Sequence, residues 1–127
     1  MNKNRVWLYR RASNSGNSGD TLLMQKRRLE SYAQTHGFEV VGHSEDVENG
    51  RLSELPGLLE FKAAMDQQEV DILLLFNLSC LGRDPDEVTG YWQILREHNI
   101  RLCTVTEGEV YLDMRTLFLK LFERRER

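Results

Sequence analysis

Several ready-made kinds of site are excluded by what this sequence lacks. Its 127 residues include only two cysteines, Cys80 and Cys103, with no CxxC and no Cys/His spacing, so neither a zinc centre nor a disulfide framework is expected. Reduced thiols in a cytoplasmic protein are the simpler expectation. The formal net charge is -3, without the basic excess of a free-standing nucleic-acid binder, so any DNA contact must come from local patches or a partner. No apolar run approaches the roughly 20 residues of a membrane span, and the opening MNKNRVW lacks a signal peptide's apolar region. No membrane association is expected. Neither GxxxxGK[ST] nor GxGxxG occurs, which argues against nucleotide binding, and no cofactor is expected. The first apolar stretch ends in Arg10 and Arg11 where a phosphoacceptor domain would carry acidic residues.

What is present alternates regularly. Residues 6–9 (VWLY) form a short apolar strand, and Asp20 stands where a helix N-cap would precede TLLMQKRRLESYAQTHG, with Leu22, Leu29, Tyr32 and Ala33 at helical spacing and Gly37 as the stop. The pattern recurs with residues 38–42 before LPGLLEFKAAMDQQ, residues 70–76 before DPDEVTGYWQILREHN, and residues 100–105 before a last helical stretch from about Asp113. Pro56 and Pro85 fall near helix starts, where a missing N–H costs nothing. Strands alternating with helices predict an α/β domain with a mainly parallel sheet of about four to five strands flanked by helices, one core in a single domain. The final stretch carries Met114, Leu117, Phe118, Leu121 and Phe122 on one helical face and ends in ERRER. Either a subunit contact or cover for its own sheet would account for it.

Ligands of open α/β sheets gather outside the carboxyl ends of the strands. There the chain would collect Arg11 and Ser13 after the first strand, Asp46 and Asn49 in SEDVENGR, Ser79, Cys80 and Arg83 in NLSCLGRD, and TEGE at residues 106–109. A hydroxyl flanked by guanidinium groups suits phosphoryl chemistry, because arginine grips phosphate oxygens and offsets transition-state charge. Acyl transfer would want a histidine beside the serine, and His36, His43 and His98 all lie elsewhere and read as surface residues. The plainer alternative makes Ser13 the start of a loop and pairs Arg11 with Asp46.

These residues resemble the catalytic domain of the serine recombinases, the family of resolvases, invertases and related integrases. That family opens with Y-x-R-x-S, matched by Tyr9, Arg11 and Ser13. Its next helix begins S-L-x-x-Q-x-x-x-L, matched by Thr21, Leu22, Gln25 and Leu29. D-x-x-S-G corresponds to DVENG followed by Leu55, Pro56 and Leu58, L-D-R-L-G-R-D to LSCLGRD, and the Glu-Arg of the dimerisation helix to ERR at Glu123. The resemblance spans about residues 6–125 with spacing intact.

It implies a resolvase-like three-layer catalytic domain over residues 1–110, the start of a truncated dimerisation helix at 111–127, and no DNA-binding domain in this chain. It further implies site-specific recombination: the serine attacks a DNA phosphodiester without metal, giving a 5'-phosphoserine link and a free 3'-hydroxyl, and a dimer or tetramer assembled through residues 113–127 exchanges the ends. By resemblance Ser13 is the nucleophile, Arg11 and Arg83 are phosphate clamps, and Gln25 and Asp46 support them. Four positions depart from the pattern: Asn49 replaces a serine, Leu55 an arginine, Ser79 an aspartate and Cys80 an arginine. Three readings follow: a recombinase catalytic domain with altered activity, a catalytically silent dimerising or regulatory homologue, and, least supported, a small phosphate- or nucleotide-binding protein. Without a separate DNA-binding domain, contact with the DNA backbone is expected to be weak.

Overall fold

The computed structural model describes residues 3–14, 16–47 and 49–110. The amphipathic stretch from Asp113, with the subunit contact expected of it and its ERRER end, lies outside the described residues. Strand β1 (Arg5–Arg11) leads to helix α1 (Ser18–Thr35), β2 (Glu39–Asp46), α2 (Pro56–Asp66), β3 (Ile72–Leu75), a 3-10 turn (Leu78–Leu81), α3 (Pro85–Glu97), β4 (Arg101–Thr104) and β5 (Gly108–Val110). The strands form one sheet in the order β2-β1-β3-β4-β5. All neighbours are parallel except β4 and β5.

The pleat divides β3 between two cores. Leu73 and Leu75 join Tyr9, Leu102, Leu58, Phe61, Val88 and Leu95 on the face covered by α2 and α3, while Ile72 and Leu74 join Val6, Leu8, Leu29, Ala33 and Cys103 under α1. A strand covered on both faces must be apolar throughout, which is why ILLL is an unbroken run. The helices thus form a layer on each side of the sheet, as the alternating pattern predicts.

The elements differ from their sequence-based outlines in three places. Asp20 lies inside the first turn of α1, and the capping position belongs to Asn17, whose carbonyl accepts the Thr21 N–H at 3.1 Å. Strand β2 continues past Gly42 to Asp46, because His43, Glu45 and their neighbours alternate across an edge strand whose inward residues, Ser44 and Asp46, are polar but buried. Residues 106–109 are not a ligand loop. They turn β4 back into β5, with Gly108 at φ 77° and the Glu107 N–H bonded to Thr104 Oγ1 at 3.0 Å. Both prolines stand in the first turn of their helices, and Gly37, at φ 68°, follows the end of α1.

The strand order places a switch point between β1 and β3. From β1 the chain passes to β2 on one side and then to β3 on the other, so the following loops diverge and leave a crevice at their carboxyl ends.

Candidate active site

A cleft of about 700 Å³ occupies that crevice. Arg11, Ala12 and Ser13 enter it from the end of β1, Thr21, Met24 and Gln25 from α1, Asn49 and Gly50 from the segment after β2, Phe76, Asn77, Ser79 and Cys80 from the exit of β3, and Arg83, Asp84 and Glu87 from the start of α3. Ser13 and Arg83 are exposed.

The two arginines at the end of β1 separate. Successive residues of a strand face opposite sides, so Arg10 turns under α1, where it is buried against Glu45 at 2.8 Å. Arg11 turns toward the 3-10 turn, donating from Nη1 to the Cys80 carbonyl at 3.3 Å. The doubled positive charge suggested by the sequence is therefore a single guanidinium on the β1 side of the cleft, joined by Arg83 across it.

Gln25 holds the strand end in place. Its side-chain carbonyl accepts the Arg11 N–H at 3.1 Å, and its amide donates to the Arg11 carbonyl at 2.9 Å. A buried amide thus supplies both bonds that an adjacent strand would make. The backbone leading into Ser13 is ordered by the helix that follows it.

Asp46 lies beneath the cleft, not in its lining. Its carboxylate accepts the Tyr9 hydroxyl at 2.7 Å and the Gly57 N–H at 2.9 and 3.1 Å. Leu55 occupies the capping position of α2 and has no acceptor to offer, so Asp46 caps that helix from the neighbouring strand. The alternative pairing of Arg11 with Asp46 is replaced by this arrangement. Burial, reinforced by the Asp46 hydrogen bond, pushes the Tyr9 hydroxyl far above its ordinary value and keeps it protonated. Trp7 Nε1 donates to Ser44 Oγ at 2.9 Å, and that hydroxyl donates to the Gly57 carbonyl at 2.6 Å. Gly57 thus joins both ladders, and only glycine fits: a Cβ there would stand 2.6 Å from Asp46 Oδ2 and 2.9 Å from the Glu45 carbonyl. Sequence reasoning missed Gly57, and the glycine beside a helix-starting proline was the available signal.

The substituted positions have settled into the protein in different ways. Leu55 is 2% exposed and belongs to the core shared with Leu58 and Phe61, so its side chain does not face the cleft. Ser79 Oγ donates to Asn77 Oδ1 at 2.6 Å, and Cys80 Sγ lies 3.9 Å from the same oxygen. Burial pushes the Cys80 thiol up, so it stays protonated and is no substitute nucleophile. Asp84 caps α3, accepting the Asp86 N–H at 3.0 Å, which fixes the helix start immediately after Arg83. The histidines lie outside the cleft: His36 stacks on Tyr32, His43 is on β2 and His98 ends α3.

Residues 6–125 match the family model Resolvase, N terminal domain, and the chain belongs to that family. The fold is that of serine recombinase catalytic domains. The N-terminal catalytic domain of TP901-1 integrase superposes with a TM-score of 0.74 at 23% identity, over 96% of this chain and 94% of that one. A resolvase family site-specific recombinase from Streptococcus pneumoniae matches at TM-score 0.71 and 28% identity, covering 96% and 88%. The C-terminal catalytic domain of ISC1926 TnpA, an IS607-like serine recombinase, matches at 0.71 and 25%, covering 80% and 70%. No curated protein sequence matches the chain. Among the described residues no helix is long and apolar enough to cross a membrane.

Proposed function

We propose that the chain is a DNA strand-transfer domain in which Ser13 is the nucleophile. One observation carries the reading: Ser13 shares a cleft at the switch point with Arg11 and Arg83, and Gln25 orders the backbone that presents it. In the reaction, Ser13 Oγ forms a bond to a backbone phosphorus as the P–O3' bond breaks. The serine proton passes to solvent, the departing 3'-oxygen takes a proton, and the strand is left joined to Ser13 through its 5'-phosphate. Arg11 and Arg83 hold the non-bridging oxygens, whose charge grows in the transition state. Asp46 acts one step removed, by fixing Tyr9 and the start of α2. Residues 1–110 form the catalytic unit, and residues 113–127 carry the subunit contact through which a dimer or tetramer assembles on DNA.

A second reading is favoured by the substituted family positions. Leucine at 55 is committed to the core and Cys80 is a neutral thiol, so two cations of the family pattern are absent. One missing preorganised donor costs roughly 10² to 10³ in rate. On this reading the chain is a silent partner that dimerises with an active recombinase.

The domain fused to a DNA-binding domain of known site, on a nicked suicide substrate, separates the two. A Ser13 phosphopeptide found by mass spectrometry and abolished by Ser13→Ala supports the enzyme. An adduct seen only after Ser79→Asp with Cys80→Arg supports the silent partner. No adduct in either protein rejects strand transfer by this scaffold.

A further inference from the structure

The cleft carries its charge unevenly. Arg11 lies on the β1 and α1 side, while on the side formed by α3 the cation Arg83 is followed by Asp84 and Glu87, the latter facing Arg51 at 4.0 Å. Past Arg83, a polyanion meets two carboxylates on the second side and none among the described residues lining the first.

On that first side, α1 continues the cleft beyond its lining. Thr21 and Gln25 line the cleft, and residue 28 follows them on the same helical face at i+7 and i+3. Helical side chains lean back over the preceding turn, which directs Arg28 toward Gln25 and the cleft mouth. Its guanidinium stands 5.7 Å over the ring of Phe76, itself part of the cleft lining at the exit of β3. Arg28 is exposed, and no ion pair joins it to a carboxylate of the described residues. The neighbouring Lys26 is on another face, lining a separate pocket with Glu30 and His43. Arg28 is thus a cation steadied by an aromatic ring at the rim of the cleft that holds Ser13.

We propose that Arg28 binds a backbone phosphate of the DNA strand next to the one presented to Ser13, so that the strand leaves the cleft along α1. Phe76 is its platform, holding the guanidinium by a cation–π contact while the N–H groups remain turned to ligand. The proposal rests on the strand-transfer reading of the cleft.

The test uses the 127-residue chain, a short labelled duplex, and binding measured by fluorescence anisotropy over a series of low salt concentrations. Each phosphate contact contributes about 0.9 to the slope of log affinity against log salt. Arg28→Gln is expected to weaken binding to all sequences alike and to lower that slope by about one contact, and Arg28→Lys to restore it. Phe76→Leu should weaken binding while leaving the slope unchanged, and Glu87→Gln should strengthen it. Circular dichroism confirms that each variant is folded. A slope lowered by Arg11→Gln or Arg83→Gln but unmoved by Arg28→Gln overturns the role of Arg28 and leaves the strand-transfer reading standing. A slope that none of the three changes overturns both, and no binding at all by the parent chain overturns the role of Arg28.

Discussion

The two walls of the cleft are built on different principles. On the β1 and α1 wall, Arg11, Ser13 and Gln25 stand where the family pattern has them, and backbone hydrogen bonds to Gln25 order the strand end. On the opposite wall the polar residues of the pattern have given way to Ser79 and Cys80, held by a local network around Asn77, and outside the lining to Leu55, held by core packing. The first wall keeps the residues of the family pattern, and the second has been taken over by residues that complete the fold. A residue lost from the second wall therefore cannot always be put back, because its place has become structural.

Leu55→Arg gives the largest expected effect. It removes a fully packed leucine and pushes a charge among Leu58 and Phe61, costing at least about 4 kcal/mol, most of the stability of a marginal domain. Urea denaturation measures it, and a variant as stable as the parent would show that Leu55 is not the core residue described. Cys80→Arg should fold, because that side chain can extend into the cleft, and the contrast between the two variants separates a core position from one in the cleft lining.

Gly57→Ala comes next, at about 1 to 3 kcal/mol, because its methyl meets the Glu45 carbonyl and the Asp46 carboxylate that caps α2. Gln25→Leu belongs to the first wall. It leaves the Arg11 N–H and carbonyl without their buried partner, for about 1 to 3 kcal/mol, and should reduce adduct formation at Ser13 by a larger factor than stability alone explains. Equal losses of adduct in Gly57→Ala and Gln25→Leu would erase the difference between the walls.

The smallest effects are read by pH. The Arg5 guanidinium, bonded to Asp71 at 2.9 and 3.0 Å, holds that carboxyl below the usual carboxylate range. Its contribution is present above the unfolded value near 4 and is lost as pH falls through the lower folded value. Asp71→Asn should therefore flatten the acid limb of the stability curve below about pH 5 without touching either wall. Burial pushes Cys103 up to about 11, so its thiol stays neutral and the folded state loses stability as pH climbs from the ordinary thiol value toward that point. With Cys80 also buried, neither thiol should react with a disulfide reagent at neutral pH until the chain is denatured. Rapid labelling of Cys80 alone would reopen the second wall as a chemical surface.

Much of this was legible from periodicity. ILLL and RLCT read as strands because both their faces are buried, and the three helices are announced by apolar spacing, prolines and stops. That Arg11, Ser13, Asn49, Ser79, Cys80 and Arg83 share one cleft follows from the rule that strand ends converge. The far half of β2 was not legible, since HSED looks like a loop until Ser44 and Asp46 find Trp7, Tyr9 and Gly57 as buried partners. Those pairings join positions 11 to 37 residues apart, beyond any local pattern. β5 is three residues long, too short to carry a period. The parting of Arg10 from Arg11 could have been read from strand alternation, and Leu55 from its place one residue before the helix-starting proline.

The double grip of Gln25 on Arg11 also has a mechanical side. The peptide two residues before Ser13 is bolted to α1 as well as laid along the sheet. A change in the docking of α1 is passed to that peptide through two hydrogen bonds. Alignment of Ser13 is therefore a property of how one helix docks on one sheet.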